Sequence, residues 1–346
     1  MSHKDWKLKA LTDIWTGDAD RQGERLVPTG LMGSLRWWFE VLVRGLDGKA
    51  CDPTTLVRCP DHAVKDPTKA SHHCVVCELF GCTGWARKFR LMVLDTGGNI
   101  IQKQIAAGTE FTLRFIPLRP ICDEEWCLLD CTLRIIADYG AIGGKTVLKP
   151  SDEPNRQNVL HHRDYGLIQY VSGPEHWDCE KNCDALKAYV DPSRPRWRKP
   201  SHTYRDERNQ VHDFSWASLQ NFWCVKGRYL ARQDGKNSTF NVVVGRKTDK
   251  SEKERKGKRV IRWSDLLENP EDPVAVWLAG SQQESKKVFS FKHPQEGGRT
   301  FGFVNPGTVE ENDIQTRLRN VWGSSFSLLR GDQILQSICN GAGGTQ

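Results

Sequence analysis

Hydrophobic periodicity in the first half of the chain alternates between strand and helix patterns in an order that restricts the fold. The segments that carry these patterns are 7–14, 29–46, 89–93, 111–115, 126–136 and 165–171. The first, third, fourth and last segments have the composition or the alternation of strands, whereas the other two repeat apolar residues at helical spacing. This order is that of a ferredoxin-like (RRM-like) βαββαβ domain, so we expect an α+β fold.

The ends of the two predicted helices carry their own signals. Thr29 is expected to cap the first helix, whose apolar stripe runs to Leu46. The acidic run 123–125 stands in the first turn of the second helix, where the helix dipole favours negative charge. Gly140 is expected to end the second helix in the left-handed conformation.

The second half of the chain is expected to form another ferredoxin-like domain, which makes the fold a tandem. Turn residues at 172–174 place the boundary there, so the predicted domains are 1–172 and 173–346. Short apolar runs predict further elements: strands at 240–244, 274–278, 288–291 and 301–304, and helices at 216–229 and 310–329.

Charge and hydropathy narrow the class of protein. The chain has 346 residues, and 50 Lys plus Arg against 43 Asp plus Glu give a net charge of +7, which weakly favours a polyanionic partner. Apolar runs do not approach the roughly 20 residues of a membrane helix. The first residues lack the apolar core of a secretion signal. We therefore expect a cytoplasmic protein with no membrane partner.

Basic residues concentrate in two stretches. The first flanks Trp197 and consists of Arg194, Arg196, Arg198 and Lys199. The second runs from Arg246 to Arg262, where nine basic residues meet three acidic ones. This second stretch is equally consistent with a solvated loop and with a loop that contacts phosphates.

The first predicted helix carries Arg36, Glu40 and Arg44 on the face opposite its apolar stripe. One interpretation is a surface ion pair between Glu40 and Arg44, worth about a few tenths of a kcal/mol. The alternative is that Arg36 and Arg44, beside Trp37, face a strand of RNA.

Five cysteines fall within 32 residues, in a predicted insertion at about 47–87. Cys74 and Cys77 have the two-residue gap of a zinc knuckle, and Cys51 with Cys59 is the favoured completion of a structural Zn²⁺ site. The remaining candidates for ligands are Cys82, His62, His72 and His73. Reduced cysteines in a loop are the alternative. Cys179 and Cys183 form a weaker candidate pair, because three residues separate them.

A glycine-rich loop, Gly140-Ala-Ile-Gly-Gly-Lys-Thr146, follows the second predicted helix. A nucleotide-binding P-loop needs four residues between its first glycine and the Gly-Lys pair and follows a strand, whereas here three residues separate Gly140 from Gly144. We therefore reject a P-loop. Backbone N–H groups at such glycines, with Lys145, are suited to contact phosphate, and a helix cap plus a turn is the alternative.

Several stretches together resemble a known family. They are Leu11–Gly17, Gly33–Glu40, Ala50–Thr54, Cys77–Arg90 and, split by an insertion, Gly140–Thr146 with Tyr165-Gly166. The chain resembles the RAMP superfamily of CRISPR-associated proteins and, within it, the first-subunit family of type III-B Cmr complexes. Ser34–Trp38 and Gly84–Arg90 are the most specific of these motifs.

The resemblance implies a non-catalytic RNA-binding subunit of a Cmr ribonucleoprotein in antiviral defence. Guide RNA, target RNA and other Cmr subunits would be its partners. The candidate RNA-binding residues are Arg36, Trp37, Arg44, Arg87, Lys88, Gly143, Gly144, Lys145, Thr146 and Arg163. In the family, a backbone subunit cleaves target through an aspartate in an early loop. Asp13, Asp18 and Asp20 therefore keep an endoribonuclease as the alternative function, and a purely structural adaptor is a third hypothesis.

Overall fold

The structure is a computed structural model that divides into two compact units. It describes residues 2–17, 23–143, 150–156, 159–175, 179, 183–233, 238–247, 266–280, 285–294 and 298–339. The first unit comprises Met1–Lys145, Gly166–Gln220 and Gly331–Gln346, and the second comprises Thr146–Tyr165 and Asn221–Arg330.

The strands are β1 (Lys4–Ala10), β2 (Phe89–Leu94), β3 (Glu110–Pro117), β4 (Ile168–Ser172), β5 (Thr203–Arg205), β6 (Val211–Asp213), β7 (Phe222–Lys226), β8 (Val288–Phe291), β9 (Arg299–Phe303) and β10 (Leu329–Arg330). The helices are α1 (Pro28–Gly45), α2 (Val75–Phe80), α3 (Asp123–Tyr139), α4 (Cys183–Val190), α5 (Thr239–Val244), α6 (Pro273–Ala279), α7 (Glu311–Trp322) and α8 (Gly331–Cys339). Short 3₁₀ turns occur at Pro154–Arg156, Leu160–His162 and Leu219–Asn221.

These units divide the chain differently from the boundary expected at residue 172. Helices α4 and α8, which follow that boundary, pack on α3 and so belong to the first unit. The segment 146–165 belongs to the second unit, where Arg232 N–H donates to the Pro150 carbonyl at 2.8 Å. In the same unit, Asp164 Oδ2 accepts hydrogen bonds from the backbone N–H groups of Lys292 and His293.

The first unit contains an antiparallel sheet with the strand order β2-β3-β1-β4. Strand β1 lies at the centre, and its alternate residues Trp6, Leu8 and Ala10 are fully buried. That alternation explains why the strand occupies Lys4–Ala10 rather than the expected 7–14. The order of strands and helices predicted for 7–171 is confirmed, with ends that differ by a few residues.

Helix α1 begins at Pro28, so the prediction that Thr29 caps it is wrong. Val27 occupies the N-cap position, and its side chain makes no capping hydrogen bond. Proline fits the first helical position because its fixed φ suits the helix and its missing N–H would have no partner there.

Helix α3 ends at Gly140, but not in the left-handed conformation that was predicted. The φ of Gly140 is −114°, which any residue can adopt. Glycine is required for another reason: a Cβ at this position would overlap the ring of Trp38. Trp38 is in turn fixed by a 2.9 Å hydrogen bond from its Nε1 to the Ala141 carbonyl.

The second unit also contains an antiparallel sheet, with the strand order β10-β7-β9-β8. Strands β8 and β9 confirm the predictions for 288–291 and 301–304, and α7 confirms the first part of the helix predicted for 310–329.

Three predictions for the second unit are wrong. The predicted strands at 240–244 and 274–278 are helices α5 and α6, because a cap starts each one. Asn241 N–H donates to Ser238 Oγ, and Val274 and Ala275 N–H donate to Asp272 Oδ1. The helix predicted for 216–229 is a 3₁₀ turn followed by β7, whose residues 222–225 are all buried and so show no strand alternation.

Both units are therefore mixed α and β structures built on antiparallel sheets. None of the described helices combines the length and the apolar character that a membrane crossing requires.

Candidate metal centre

Four buried cysteines of the first unit converge on one point. Their Sγ atoms all lie within 4.8 Å of one another. Cys51 and Cys59 come from the loop after α1, whereas Cys74 caps α2 and Cys77 lies in its first turn. Each of the four is at most 5 % exposed. The four ligands favoured from the sequence are thus brought together.

The spacing of these sulfur atoms suits a tetrahedral ion. A metal bound at about 2.3 Å holds its four sulfurs roughly 3.8 Å apart. Cys51 Sγ lies 3.5 Å from Cys77 Sγ, and Cys74 N–H donates to Cys59 Sγ at 3.3 Å. A small inward movement of the remaining sulfurs would close the set, so this cluster can hold a metal ion.

The other candidate ligands are engaged elsewhere or lie outside the group. His72 Nδ1 is 2.9 Å from His73 Nδ1, and His73 Nε2 is 2.6 Å from Glu78 Oε2. His62 is exposed, and Cys82 is half-buried.

Two arginines supply positive charge to the cysteine cluster. Arg36 Nη2 donates to Cys77 Sγ at 3.1 Å and lies 3.7 Å from Cys51 Sγ, while Arg198 Nη1 lies 3.7 Å from Cys59 Sγ. A divalent ion bound by four thiolates carries a net charge of about −2. Two guanidinium groups offset that charge where water cannot do so, which lowers the cost of burying the site.

Arg36 also begins a buried chain of charges along α1. Arg36 Nε lies 2.9 Å from Glu40 Oε1, and Arg44 Nη2 lies 3.5 Å from Glu40 Oε2. The side chains of Glu40 and Arg44 are each 3 % exposed, so the prediction of a surface ion pair is wrong. The segment 214–217 covers this face, where Arg44 donates to the Ala217 carbonyl at 2.9 Å.

Glu40 is an unusual acid because of this position. Burial raises the pKa of Glu40 to about 7, although Arg44 and Arg36 act in the opposite direction. The carboxyl of Glu40 therefore titrates near neutral pH in the folded protein.

A second group of buried charges surrounds Glu78, next to Cys77. Lys88 Nζ lies 2.7 Å from Glu78 Oε1 and 2.8 Å from Glu125 Oε1, and Arg196 Nη2 lies 3.1 Å from Glu78 Oε1. Burial alone would raise the pKa of Glu78, but hydrogen bonds from His73 and Lys88 and the charges of Lys88 and Arg196 lower it to about 2. These ion pairs attach the segment after α2 to α3.

The segment that carries the candidate metal centre matches a known protein family. Residues 7–148 match the model of the RAMP superfamily. We call residues 7–148 the RAMP segment, because they are the part of the chain that is similar to this superfamily. It contains α1, the cysteine cluster, β2, β3 and α3. No curated protein sequence matches the chain.

The chain is also similar to solved structures of Cmr proteins. The crystal structure of apo Cmr1 from Pyrococcus furiosus gives a TM-score of 0.43 at 11% identity over 96% of this chain and 99% of that one. A cryo-EM structure of the type III-B Cmr-beta complex bound to cognate target RNA contains a chain with a TM-score of 0.43 at 12% identity, over 97% of this chain and 99% of that one. A second Cmr-beta structure, which also contains AMPPnP, gives 0.42 at 12% identity, over 92% and 98%.

The RNA-binding residues predicted in the RAMP segment fall in different environments. Arg87 is exposed and Trp37 is half-buried, edge-on to Trp38 at 4.9 Å between ring centroids. Arg44 and Lys88 are buried in the ion pairs described above, which leaves them no surface for RNA, and Arg36 faces the cysteines.

The glycine-rich loop is described only up to Gly143. Gly143 has a φ of 120°, which favours glycine, and its N–H donates to Ser34 Oγ at 3.1 Å. The other predicted residues of the loop, Gly144, Lys145 and Thr146, lie outside the described residues, so their contact with phosphate stays a prediction. Arg163 is exposed in the second unit.

The candidate nuclease aspartates and the second basic stretch lie partly outside the described residues. Asp13 accepts a 2.9 Å hydrogen bond from Ala107 N–H, whereas Asp18 and Asp20 lie outside them. Most of the basic stretch, residues 248–262, is also outside them.

Cysteines outside the cluster form disulfides that the sequence did not predict. Cys127 is bonded to Cys179, and Cys183 to Cys339. The interpretation of Cys179 and Cys183 as a metal pair is therefore wrong. Their partners are 52 and 156 residues away along the chain, so no local spacing indicated them.

Arg198 lies beside Cys59, and Trp85 stacks on His73, which precedes Cys74, but neither was predicted from the sequence as part of this site. Arg198 belongs to the basic stretch around Trp197, and that stretch was the available signal. Trp85 belongs to the motif Gly84–Arg90, whose first residues turn back to Cys82 through paired backbone hydrogen bonds of 2.9 Å.

Proposed function

We propose that the protein is an RNA-binding subunit of a type III-B CRISPR (Cmr) ribonucleoprotein and helps to capture target RNA that pairs with a guide RNA. The RAMP match over residues 7–148 is the observation that carries this proposal. Ser34–Trp38 and Gly84–Arg90, the motifs that resemble the first Cmr subunit, both lie inside that segment. The proposed partners are guide RNA, target RNA and the other Cmr subunits, in the cytoplasm.

The proposed fold is a tandem of ferredoxin-like domains. In the first unit, β1, α1, β2, β3, α3 and β4 follow one another, and the sheet order is β2-β3-β1-β4. In the second unit, β7, α5 with α6, β8, β9, α7 and β10 give the same order of types, and the sheet order β10-β7-β9-β8 is equivalent. Both patterns support a βαββαβ domain, which many RNA-binding proteins contain.

We propose that the cysteine cluster holds one structural Zn²⁺. Four thiolates with no open position are the ligand set of a structural rather than a catalytic zinc. The loop that supplies Cys51 and Cys59 has little apolar core of its own, since Leu56 is 69% exposed. Metal binding would therefore supply the free energy that orders this insertion between α1 and β2.

An endoribonuclease is the second candidate function, and one pair of residues favours it. His212 Nε2 lies 3.0 Å from Asp206 Oδ2 on the hairpin of β5 and β6, and Tyr204 stacks on the His212 ring at 5.0 Å. A histidine oriented by a carboxylate can act as a general base. The surrounding hairpin is largely exposed.

Incubation of the purified chain with end-labelled single-stranded RNA tests the proposal. We expect retarded, intact RNA whose binding weakens as salt rises, because phosphate contacts release counterions. Cleavage that His212→Ala abolishes would establish the endoribonuclease instead. If the protein neither binds nor cleaves RNA, alone or in the assembled complex, a structural adaptor remains as its function.

A further inference from the structure

Trp85 organises a group of side chains on the outer side of the cysteine cluster. The ring of His73 stacks on Trp85, with 4.6 Å between centroids and 28° between planes. The Arg119 guanidinium lies over the Trp85 ring at 4.1 Å and also donates to the Ala86 carbonyl. Trp85 Nε1 donates to the Glu78 carbonyl at 3.4 Å. These contacts fix the position of Arg119 relative to the cysteine cluster.

Positive charge dominates the exposed part of this group. Arg87 is exposed, the Arg196 side chain is 63% exposed, and Arg119 is partly exposed. Of these arginines, Arg196 pairs with a carboxylate, that of Glu78, which is 4% exposed and is shared with Lys88 and His73. One buried negative charge therefore cannot neutralise the arginines, and the surface is basic.

We infer that the surface formed by Trp85, Arg87, Arg119 and Arg196, the Trp85 surface, binds the backbone of single-stranded RNA. This inference rests on the proposed function, which it makes specific. Guanidinium groups match phosphate oxygens in a fork geometry, and an arginine held over an aromatic ring offers a plane on which a base can stack. A protein partner would need acidic groups at the same positions, whereas single-stranded RNA presents phosphates along its whole length.

The neighbouring cysteine cluster explains how this surface is held in place. His73, which stacks on Trp85, directly precedes Cys74 of the cluster. Arg196 is two residues before Arg198, whose guanidinium lies near Cys59 Sγ. Trp85 and Arg196 are therefore both anchored next to cysteines of the cluster.

Fluorescence anisotropy of the full chain with fluorescein-labelled single-stranded RNA tests the inference. The variant is Arg87→Ala/Arg119→Ala/Arg196→Ala, and the matched control is Arg25→Ala/Lys103→Ala/Arg208→Ala, which removes three exposed cations from the same unit. Losing three phosphate contacts should raise Kd about tenfold or more and reduce the log–log salt slope by roughly 2, at about 0.7 per phosphate on a single strand. We expect the control to bind RNA as the unmodified chain does.

Each outcome separates the inference from the function on which it rests. If the unmodified chain binds RNA and the Trp85-surface variant binds equally well, the inference is overturned while the proposed function stands. The same holds if the control weakens binding as much as the variant does. If the unmodified chain binds no RNA, either alone or in the assembled complex, both fail. Should the triple variant not fold, Arg87→Glu against Arg208→Glu makes the same comparison with one exposed charge reversed, and equal binding by these two overturns the inference.

Discussion

The apolar core of the first unit and the cysteine-rich insertion that follows α1 are stabilised in different ways. In the core, Trp6, Phe111 and Phe115 are at most 2 % exposed and pack between the sheet and its helices. In the insertion, four cysteine side chains and the arginines beside them occupy the interior, and Leu56 is left in solvent. The core therefore depends on burial of apolar area, whereas the insertion depends on buried charge and, under the proposed zinc site, on ligand bonds.

The largest expected effect comes from removing two of the proposed metal ligands, which tests the insertion separately from the core. Cys74→Ser/Cys77→Ser should reduce bound zinc from about one ion per chain to none and cost the insertion several kcal/mol, on the order expected for structural zinc. Elemental analysis and limited proteolysis within 52–73 measure the two effects. The control is Cys82→Ser, since Cys82 is near the cluster but outside it. Zinc retained by the double variant would contradict the assignment.

A core substitution tests the opposite side of the comparison. Phe115→Ala should lower the free energy of unfolding by about 3–5 kcal/mol, because it removes a fully buried ring and leaves a cavity. Denaturant titration measures the loss. The folded fraction should keep its zinc, so a parallel loss of metal would show that the two regions are not independent.

A matched pair of glycines provides a smaller effect. Gly140→Ala should cost about 1–3 kcal/mol, since the new methyl group would overlap the Trp38 ring. Gly33 lies within α1 with no atom near its absent side chain, so Gly33→Ala should stabilise the protein by roughly 0.5–1 kcal/mol. Thermal unfolding of the two variants should show shifts of opposite sign, and shifts of the same sign would contradict the packing described at Gly140.

The smallest effect concerns the charge chain that joins helix α1 to the insertion. Burial raises the pKa of Glu40 to about 7, above its ordinary value of 4.5, so the folded state favours the neutral carboxyl. The associated stability is complete below about pH 4.5 and is lost as pH rises through about 7. Glu40→Gln should remove this dependence, so the unmodified chain should lose about 1 kcal/mol relative to the variant between roughly pH 6 and pH 8. Parallel pH profiles would show that Glu40 does not titrate there.

The same two regions show what the sequence can and cannot predict. Apolar periodicity located β1, α1, β2, β3, α3 and β4 because each buries at least one apolar face. Cysteine spacing located the cysteine cluster because the two-residue gap of Cys74 and Cys77 is a local geometric signal. The burial of Arg44 and Lys88 was missed, since a polar side chain buried by a distant segment has the same pattern as an exposed one.

The second unit shows the limit of periodicity most clearly. The apolar runs beginning at Phe240 and Val274 are too short to distinguish a strand from a buried helix. The capping residues Ser238 and Asp272 decide in favour of helices, and these residues were available in the sequence. The disulfide partners of Cys179 and Cys183 depend on tertiary proximity alone, so no sequence pattern could have indicated them.

Ultraviolet crosslinking of the assembled ribonucleoprotein to target RNA tests the central claim most directly. Peptides of this chain that carry crosslinked nucleotides would be identified by mass spectrometry, with a non-complementary RNA as the control. We expect crosslinks within residues 7–148, the RAMP segment, that depend on pairing with the guide. Target RNA that crosslinks to the other subunits and never to this chain would contradict the claim that the chain captures RNA.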